Sequence, residues 1–376
     1  MLQKTVSTLI AGIVLSVSLL FAQTSQDHHH REIIFPDIPG YYTLSADLHI
    51  HTVFSDGHVL PTIRVQEALK DNLSAISITD HLEYQPFSSD IPHPDRNRSY
   101  EIAKKAAEGT GLMVINGVEV TRGMPPGHRN AVFLKDANEL LIDDAVEVLR
   151  AAKVQDAFIF WDHPSWSRHA RDGIARLHPM HIELIEEGLI HGIEVVNHYR
   201  FSKEAVQIAL DYDLTMLGNT DVHGLIDWDW INHGLHRPST LIFSETPTEE
   251  GLKEALMAGR TVVAQNNLLI GKEDYLVPLI NETLAITGTE YERHNNSVLD
   301  VRIRNNSIHE FILKNTGEFS MHRTSDIIRI KPLDTTLITV NLPERMDEIR
   351  LSFEVLSALI GSETHPTIVL EHTLAP

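Results

Sequence analysis

Six times between residues 46 and 223, a short apolar run stops at a histidine or a carboxylate. Ala46–Ile50 carries His49 and leads into His51, Ala75–Thr79 runs into Asp80-His81, and Val114–Val118 runs into Glu119. Ala157–Trp161 precedes Asp162-His163, Gly192–Val196 precedes Asn197-His198, and Met216–Thr220 precedes Asp221-Val222-His223. Helical patterns fall between and after these runs, at Thr62–Lys70, Tyr100–Glu108, Ile142–Ala152, Met180–Glu187, Lys203–Leu210 and Glu249–Ala258. The last is punctuated by Thr246 as its N-cap, Pro247 at the first helical position and Gly259 past its end. Strands alternating with helices call for an α/β fold. In a barrel of parallel strands the C-terminal ends all face one mouth, where active sites form. A single histidine at such a position is as often a satisfied core or loop residue as a ligand, but six runs in phase are poorly explained by coincidence.

The segment DLHIHTVFSDG, residues 47–57, is the richest. Asp47, His49 and His51 share one face of a strand, while Leu48 and Ile50 take the other. The apolar neighbours imply a buried strand, where an unpaired imidazole is costly, so His49 and His51 are read as a ligand pair. Asp47 is expected to orient an imidazole from behind. Asp80 and Asp162, each just before a histidine, either do the same or cap helices.

Composition narrows the chemistry. The chain has 23 His and 0 Cys, which excludes disulfides, thiolate zinc sites, iron–sulfur clusters and a cysteine nucleophile. Any metal must be held by imidazole and carboxylate. With 31 Lys plus Arg against 52 Asp plus Glu, the net charge is 31 − 52 = −21, so long nucleic acid is a poor partner. Residues 1–22 have the Lys4-then-apolar layout of a secretory signal, with no stable membrane anchor, and imply an exported, periplasmic or extracellular protein. Residues 23–40 form a leader containing His28-His29-His30. A barrel domain is expected over 41–280. Over 281–376 the period of two in Leu299-Val301-Ile303 and Ile349-Leu351-Phe353-Val355 marks half-buried strands, a small all-β sandwich of immunoglobulin-like size.

The set DLHIHTVFSDG, ITDH (78–81), GVEV (117–120), GHRN (127–130), DHP (162–164) and NTDVHG (219–224) resembles the polymerase and histidinol phosphatase (PHP) family of metal-dependent phosphoesterases. The resemblance spans about residues 45–265, in the family's order of motifs. It implies a distorted (βα)7 TIM-like barrel holding two or three divalent ions. Carried over position by position, His49, His51, Glu119 and Asp221 would hold the first metal, and Glu119 would bridge to a second held by His128 and His163. Asp56, His81 and His223 would hold a third. Glu119, Asp221 and His223 are the expected catalytic residues. Thr220 stands where a serine is frequent in the family, and the Asp56 position varies among its members.

Such ligands suit Zn, Mn or Fe. Adjacent ions lower the pKa of a bridging water and clamp phosphoryl oxygens. The expected activity is hydrolysis of a small phosphoester by a metal-bridging hydroxide, with monoesters the first choice and small diesters the second. Arg129, His198 and Arg237 are the candidates for substrate contact, and Trp228 and Trp230 for packing at the barrel rim. One rival is an amidohydrolase-type barrel bridged by a modified Lys135. Another is a secreted metal- or glycan-binding protein with an inert barrel, which would keep partner binding after His51→Ala.

Overall fold

The apolar runs form strands buried along almost their whole length, as runs without a polar face must. The computed structural model describes residues 31–374 apart from Pro92 and His294; the expected signal segment and the triple histidine lie outside the described residues. The strands are β1 (Tyr42–Ile50), β2 (Ala75–Ile78), β3 (Met113–Val120), β4 (Arg129–Val132), β5 (Phe158–Trp161) and β6 (Gly192–Asn197), then β7 (Arg200–Phe201), β8 (Thr215–Asn219), β9 (Ser239–Ser244), β10 (Thr261–Gln265) and β11 (Leu268–Gly271). Their order in the sheet is β11-β10-β9-β1-β2-β3-β4-β5-β6-β7, with β8 also paired to β6. The end of β1 meets the loop after β8 through the Ile50–Val222 bridge, which curls the sheet towards closure.

The barrel is a mixed one. β1, β2 and β3 are parallel neighbours, as are β5, β6 and β8. β4 is antiparallel to both β3 and β5. Only residues 121–128 join β3 to β4, too short a connection for the crossover a parallel neighbour needs. β10 and β11 form a hairpin around Asn266-Asn267, with Asn266 at φ 47°, a backbone that asparagine tolerates. Gly117 does not interrupt β3: a Cβ there would lie 2.6 Å from Ser77 Oγ, so glycine permits the close approach of β2. The helix expected over Glu249–Ala258 starts where the pattern places it, but its cap is not Thr246. Thr248 is its N-cap, accepting from Gly251 N, and Glu249–Met257 is helical.

A helix over Glu273–Thr283 leads into β12 (Leu284–Glu292), β13 (Asn295–Asn305), β14 (Phe311–Asn315), β15 (Ile327–Ile330), β16 (Thr335–Asn341), β17 (Glu348–Val355), β18 (Ala358–Leu359) and β19 (Thr367–Thr373). β12-β13-β16 and β15-β14-β17-β19 are two antiparallel sheets of an Ig-like domain. Ile349, Leu351, Phe353 and Val355 of β17 are all buried, as their alternation requires. β18 leaves the sandwich and pairs in parallel with β11 of the barrel. Buried residues of both domains, such as Leu276, Leu299 and Phe311, share one apolar cluster.

Candidate metal centre

The C-terminal ends of the barrel strands carry their side chains to one mouth. His49 and His51 alternate with Ile50 at the end of β1, whose far side is tied down by His51 N donating to Val222 O and Asp221 N donating to His49 O. Those two bonds bring the loop after β8, with Asp221 and His223, onto the β1 end. Likewise Glu119 N donates to Asp80 O and Leu82 N to Glu119 O, which draws the loop carrying His81 against β3. The hairpin from β3 to β4 supplies His128, and the end of β5 supplies His163. Three residues at the mouth adopt left-handed backbone: His163 (φ 32°), His198 (φ 55°) and Asp221 (φ 52°). Such conformations cost roughly 1–3 kcal/mol each and cluster at functional sites.

The tightest group is His49 Nε2, His51 Nε2, Glu119 Oε2 and Asp221 Oδ1. The two imidazole nitrogens are 3.1 Å apart. His49 Nε2 lies 3.3 Å from both Glu119 Oε2 and Asp221 Oδ1, and His51 Nε2 lies 3.2 and 3.0 Å from the same two atoms. Four ligands at ~2.0 Å from a tetrahedral cation stand about 3.3 Å from one another. The five separations given, 3.0–3.3 Å, match that spacing, so the donor set suits a divalent ion. Glu119 continues into a second group. Its Oε2 is 3.0 Å from His81 Nδ1, and its Oε1 is 2.5 Å from His128 Nδ1 and 3.3 Å from His163 Nε2. A third gathers around Asp56, with His223 Nε2 at 3.2 Å and His51 Nδ1 and His81 Nε2 each at 3.6 Å. All nine sequence-derived ligand candidates thus converge. The groups overlap more than expected, with His81 also joining Glu119 and His128, and His51 also facing Asp56.

Electrostatics tie the groups together. Burial penalises the charged form of His49, yet the carboxylates of Asp221, Glu194 and Glu119 outweigh it and hold its pKa well above the ordinary value. Burial also opposes ionisation of Glu119, but His81 and His49 hold that carboxyl well below its usual range. His81 is raised to about 9, burial being overcome by Glu119 and Asp56. In each case a charge sits where it has partners of the opposite sign.

The supporting residues differ from expectation. Asp47 touches no imidazole. Its carboxylate accepts from Thr220 N and Oγ1 and from Arg237, fixing the residue before Asp221. Glu194, an acid inside the apolar run of β6, takes the orienting role instead: its Oε1 accepts from His49 Nδ1 at 2.9 Å. The rest of its carboxylate accepts from His163 N, Asn197 Nδ2 and Asn219 Nδ2. Asp80 braces the loop after β1, accepting from Thr52 N, Thr52 Oγ1 and Ser55 Oγ. That loop needs Gly57, where a Cβ would come within 2.6 Å of Thr52 N. Asp162 is fully buried, and burial with the nearby Glu194 and Glu119 raises its pKa well above normal. Buried Arg64 donates to the carbonyls of His51, Val222, His223 and Gly224, clamping two ligand loops from below.

Two of the three expected substrate residues are not at the mouth. Arg129 is 1% exposed, lies over the Trp161 ring and donates to His128 O; burial depresses its pKa to about 9. Arg237 is 2% exposed and bonds Asp47 and Asp71. Both cations point into the protein because buried groups absorb them. His198 does stand at the mouth, half-buried, 5.0 Å from the Trp230 ring. Trp230 is buried at the rim, whereas Trp228 is exposed. A cleft of ≈ 580 Å³ over the cluster is lined also by Tyr84, Thr121, Trp166 and Arg168, none of them singled out from sequence. Lys135 is exposed and follows β4 at the sheet end opposite Glu119, far from any bridging position.

Residues 47–212 match the PHP domain family, and residues 284–371 match an Ig-like domain family. A two-domain protein from Bacteroides vulgatus, containing a predicted PHP-like metal-dependent phosphoesterase, is 36% identical; the match covers 91% of this chain and 98% of that one, at a TM-score of 0.83. A putative metal-dependent phosphoesterase from Bifidobacterium adolescentis is 17% identical over 48% of this chain and 88% of its own, at a TM-score of 0.38. No curated protein matches.

Proposed function

The chain belongs to the PHP-like metal-dependent phosphoesterase family, and from that premise we propose that it is a hydrolase of small phosphoesters working with two or three divalent ions. The observation that carries the reading is the nest of His49, His51, Glu119 and Asp221, whose spacing fits a tetrahedral cation, with Glu119 shared by the adjoining ligands. Bound ions would supply an acidified water as nucleophile and positive charge for the phosphoryl oxygens. The chain's own part is placement. His49, His51, Glu119 and Asp221 would hold the first ion; Glu119 with His128 and His163 the second; Asp56, His81 and His223 the third. Glu194 fixes the His49 tautomer by accepting from Nδ1, leaving the Nε2 lone pair free for an ion. His223 and Asp221 lie on the open side of the cluster, where a substrate enters.

Export is part of the proposal and rests on the pattern of residues 1–22; no helix among the described residues is long and apolar enough to cross a membrane. The amidohydrolase rival loses its bridging lysine, since Lys135 lies away from the cluster. The test is metal analysis of the purified chain, with turnover of phosphomonoesters, phosphodiesters and amides before and after chelation. Phosphoester turnover lost with the metal and restored by Zn, Mn or Fe is expected. Metal-free protein with full activity, or turnover of amides alone, refutes the proposal.

A further inference from the structure

A small chamber lies where the Ig-like domain meets the barrel. Arg237, Ser239 and Asn266 line it from the barrel, Ile308 and His309 from the loop between β13 and β14, and Phe35 from the segment before β1. Its volume is ≈ 10 Å³, about what one water molecule needs. Three polar atoms of its lining residues are covered from solvent yet meet no hydrogen-bond partner among the described residues: Arg237 Nε, Ser239 Oγ and Asn266 Oδ1. Arg237 is 2% and Ser239 1% exposed. Orphaned buried groups are rare, and three around one chamber point to a common partner.

The donor and acceptor types name that partner. Arg237 Nε only donates, Asn266 Oδ1 only accepts, and Ser239 Oγ does either. A cation has the Arg237 N–H against it. An anion is disfavoured because Asp47 and Asp71, which both bind Arg237, outnumber its charge. Burial holds the pKa of His309 down to about 4, so that ring adds no charge at neutral pH. What fits is a neutral molecule of the smallest size that donates and accepts at once. Water does so, and buried waters typically make about three hydrogen bonds.

The chamber also stands at one end of a chain of contacts that reaches the metal centre. Arg237 donates to Asp47 and Asp71. Asp47 accepts from Thr220 N at 3.1 Å and from Thr220 Oγ1 at 2.6 Å, and Thr220 precedes the ligand candidate Asp221. The loop carrying His309 is tied down at both sides, Ile308 N donating to Ile34 O at 3.2 Å and Glu310 N to Asn267 Oδ1 at 3.4 Å. We infer that one water molecule, bonded to Arg237 Nε, Ser239 Oγ and Asn266 Oδ1, is a fixed part of this interface, and that through it the Ig-like domain steadies Arg237, Asp47 and the residue before Asp221. Ser239, Asn266 and His309, which closes the chamber, are then positioning residues of the metal centre. The Ig-like domain becomes part of that centre's support. The coupling rests on the metal-centre reading above; the water does not.

The test has two arms. A crystal structure of the full chain reads the water directly, as an ordered solvent peak within hydrogen-bond distance of the three atoms; no peak there overturns the inference. In the second arm Ser239→Val puts a methyl group into the space and displaces the water. Asn266→Gly, which keeps the left-handed turn (φ 47°) and removes Oδ1, serves should the first variant not fold. Competition for zinc against a chromophoric chelator, well below the melting temperature, is expected to show binding weakened roughly tenfold. Ser239→Ala, which leaves room for the water and two of its partners, is expected to bind more tightly than Ser239→Val. Parental zinc affinity in Ser239→Val or Asn266→Gly, even with a lowered melting temperature, restricts the chamber to stability and overturns the coupling. An unmodified chain that binds no zinc, manganese or iron overturns the metal-centre reading and the coupling with it, and the solvent peak then decides the water alone.

Discussion

Glu194→Gln is the sharpest probe of how the cluster is held. The side chain is 1% exposed, and its carboxylate accepts four hydrogen bonds beside the Asp162 carboxyl. Oε1 accepts from His49 Nδ1 at 2.9 Å and Asn219 Nδ2 at 3.0 Å; Oε2 accepts from His163 N at 2.7 Å and Asn197 Nδ2 at 2.9 Å. Gln has the same shape but replaces one oxygen with a donor, and each orientation has its own consequence. With the amide NH2 towards His163 N, a backbone donor that cannot turn away, a buried N–H loses its acceptor. Hydrogen bonds to charged groups contribute roughly 1.5–3 kcal/mol each, so losing the pair to Oε2 costs on the order of 3 kcal/mol of stability. With the NH2 towards His49, the imidazole is driven to the tautomer protonated on Nε2, and that proton occupies the position an ion would take. Asn219 cannot relieve the clash by flipping, because its Oδ1 already accepts from Leu48 N. Loss of such an orienting partner weakens metal binding about 10- to 100-fold, or ~1.4–2.7 kcal/mol. The assay pairs competition against a chromophoric chelator with thermal unfolding of the metal-free protein. A variant that binds metal within a factor of about two of the parent, at an unchanged melting temperature, would refute the orienting role.

Metal uptake should release protons at neutral pH. His81 is raised from 6.5 to about 9 in the metal-free fold, burial being outweighed by Glu119 and Asp56, so it must give up a proton to ligate. Apparent metal affinity should therefore climb from pH 6.5 to about 9 and then flatten, as read by calorimetry in buffers of different ionisation enthalpy; a pH-independent affinity would count against it. The sign for stability is the reverse. A group with a raised folded pKa stabilises fully below its unfolded value, so the metal-free protein should lose this contribution as pH rises from 6.5 through about 9. Arg237→Met should lower unfolding free energy by about 3–5 kcal/mol, because it strands buried Asp47 and Asp71 without their cation. Denaturant titration checks this, and a normally stable variant with a raised KM would instead restore Arg237 as a substrate contact.

The convergence of the candidate ligands was legible in the sequence and most of their partners were not, for a physical reason. Strand phase is local: an apolar run fixes which residues fall at its end and which face they take, so the pattern alone gathers His49, His51, His81, Glu119, His163, Asp221 and His223 at one mouth. Loop length is local too. The eight residues at 121–128 and the two at 266–267 already forbid crossovers, and would have marked β4 and β11 as antiparallel strands of a mixed sheet. Partners depend on contacts remote in sequence. Asp47 faces the right way to orient an imidazole, but Arg237, 190 positions away, claims it, and that same pairing withdraws Arg237 from the mouth. Arg129 is lost to the interior because Trp161, its register partner across β4 and β5, offers a ring to cover it. Trp166 and Arg168 follow a ligand in an aperiodic loop, where no pattern fixes direction. Glu194 did leave a local trace: an acid within Gly192–Val196, a run otherwise fit for burial on both faces, must be paired or neutral. The charge that interrupts buried β6 is thus the residue that accepts from His49, and it is the one partner that the amino-acid order did mark.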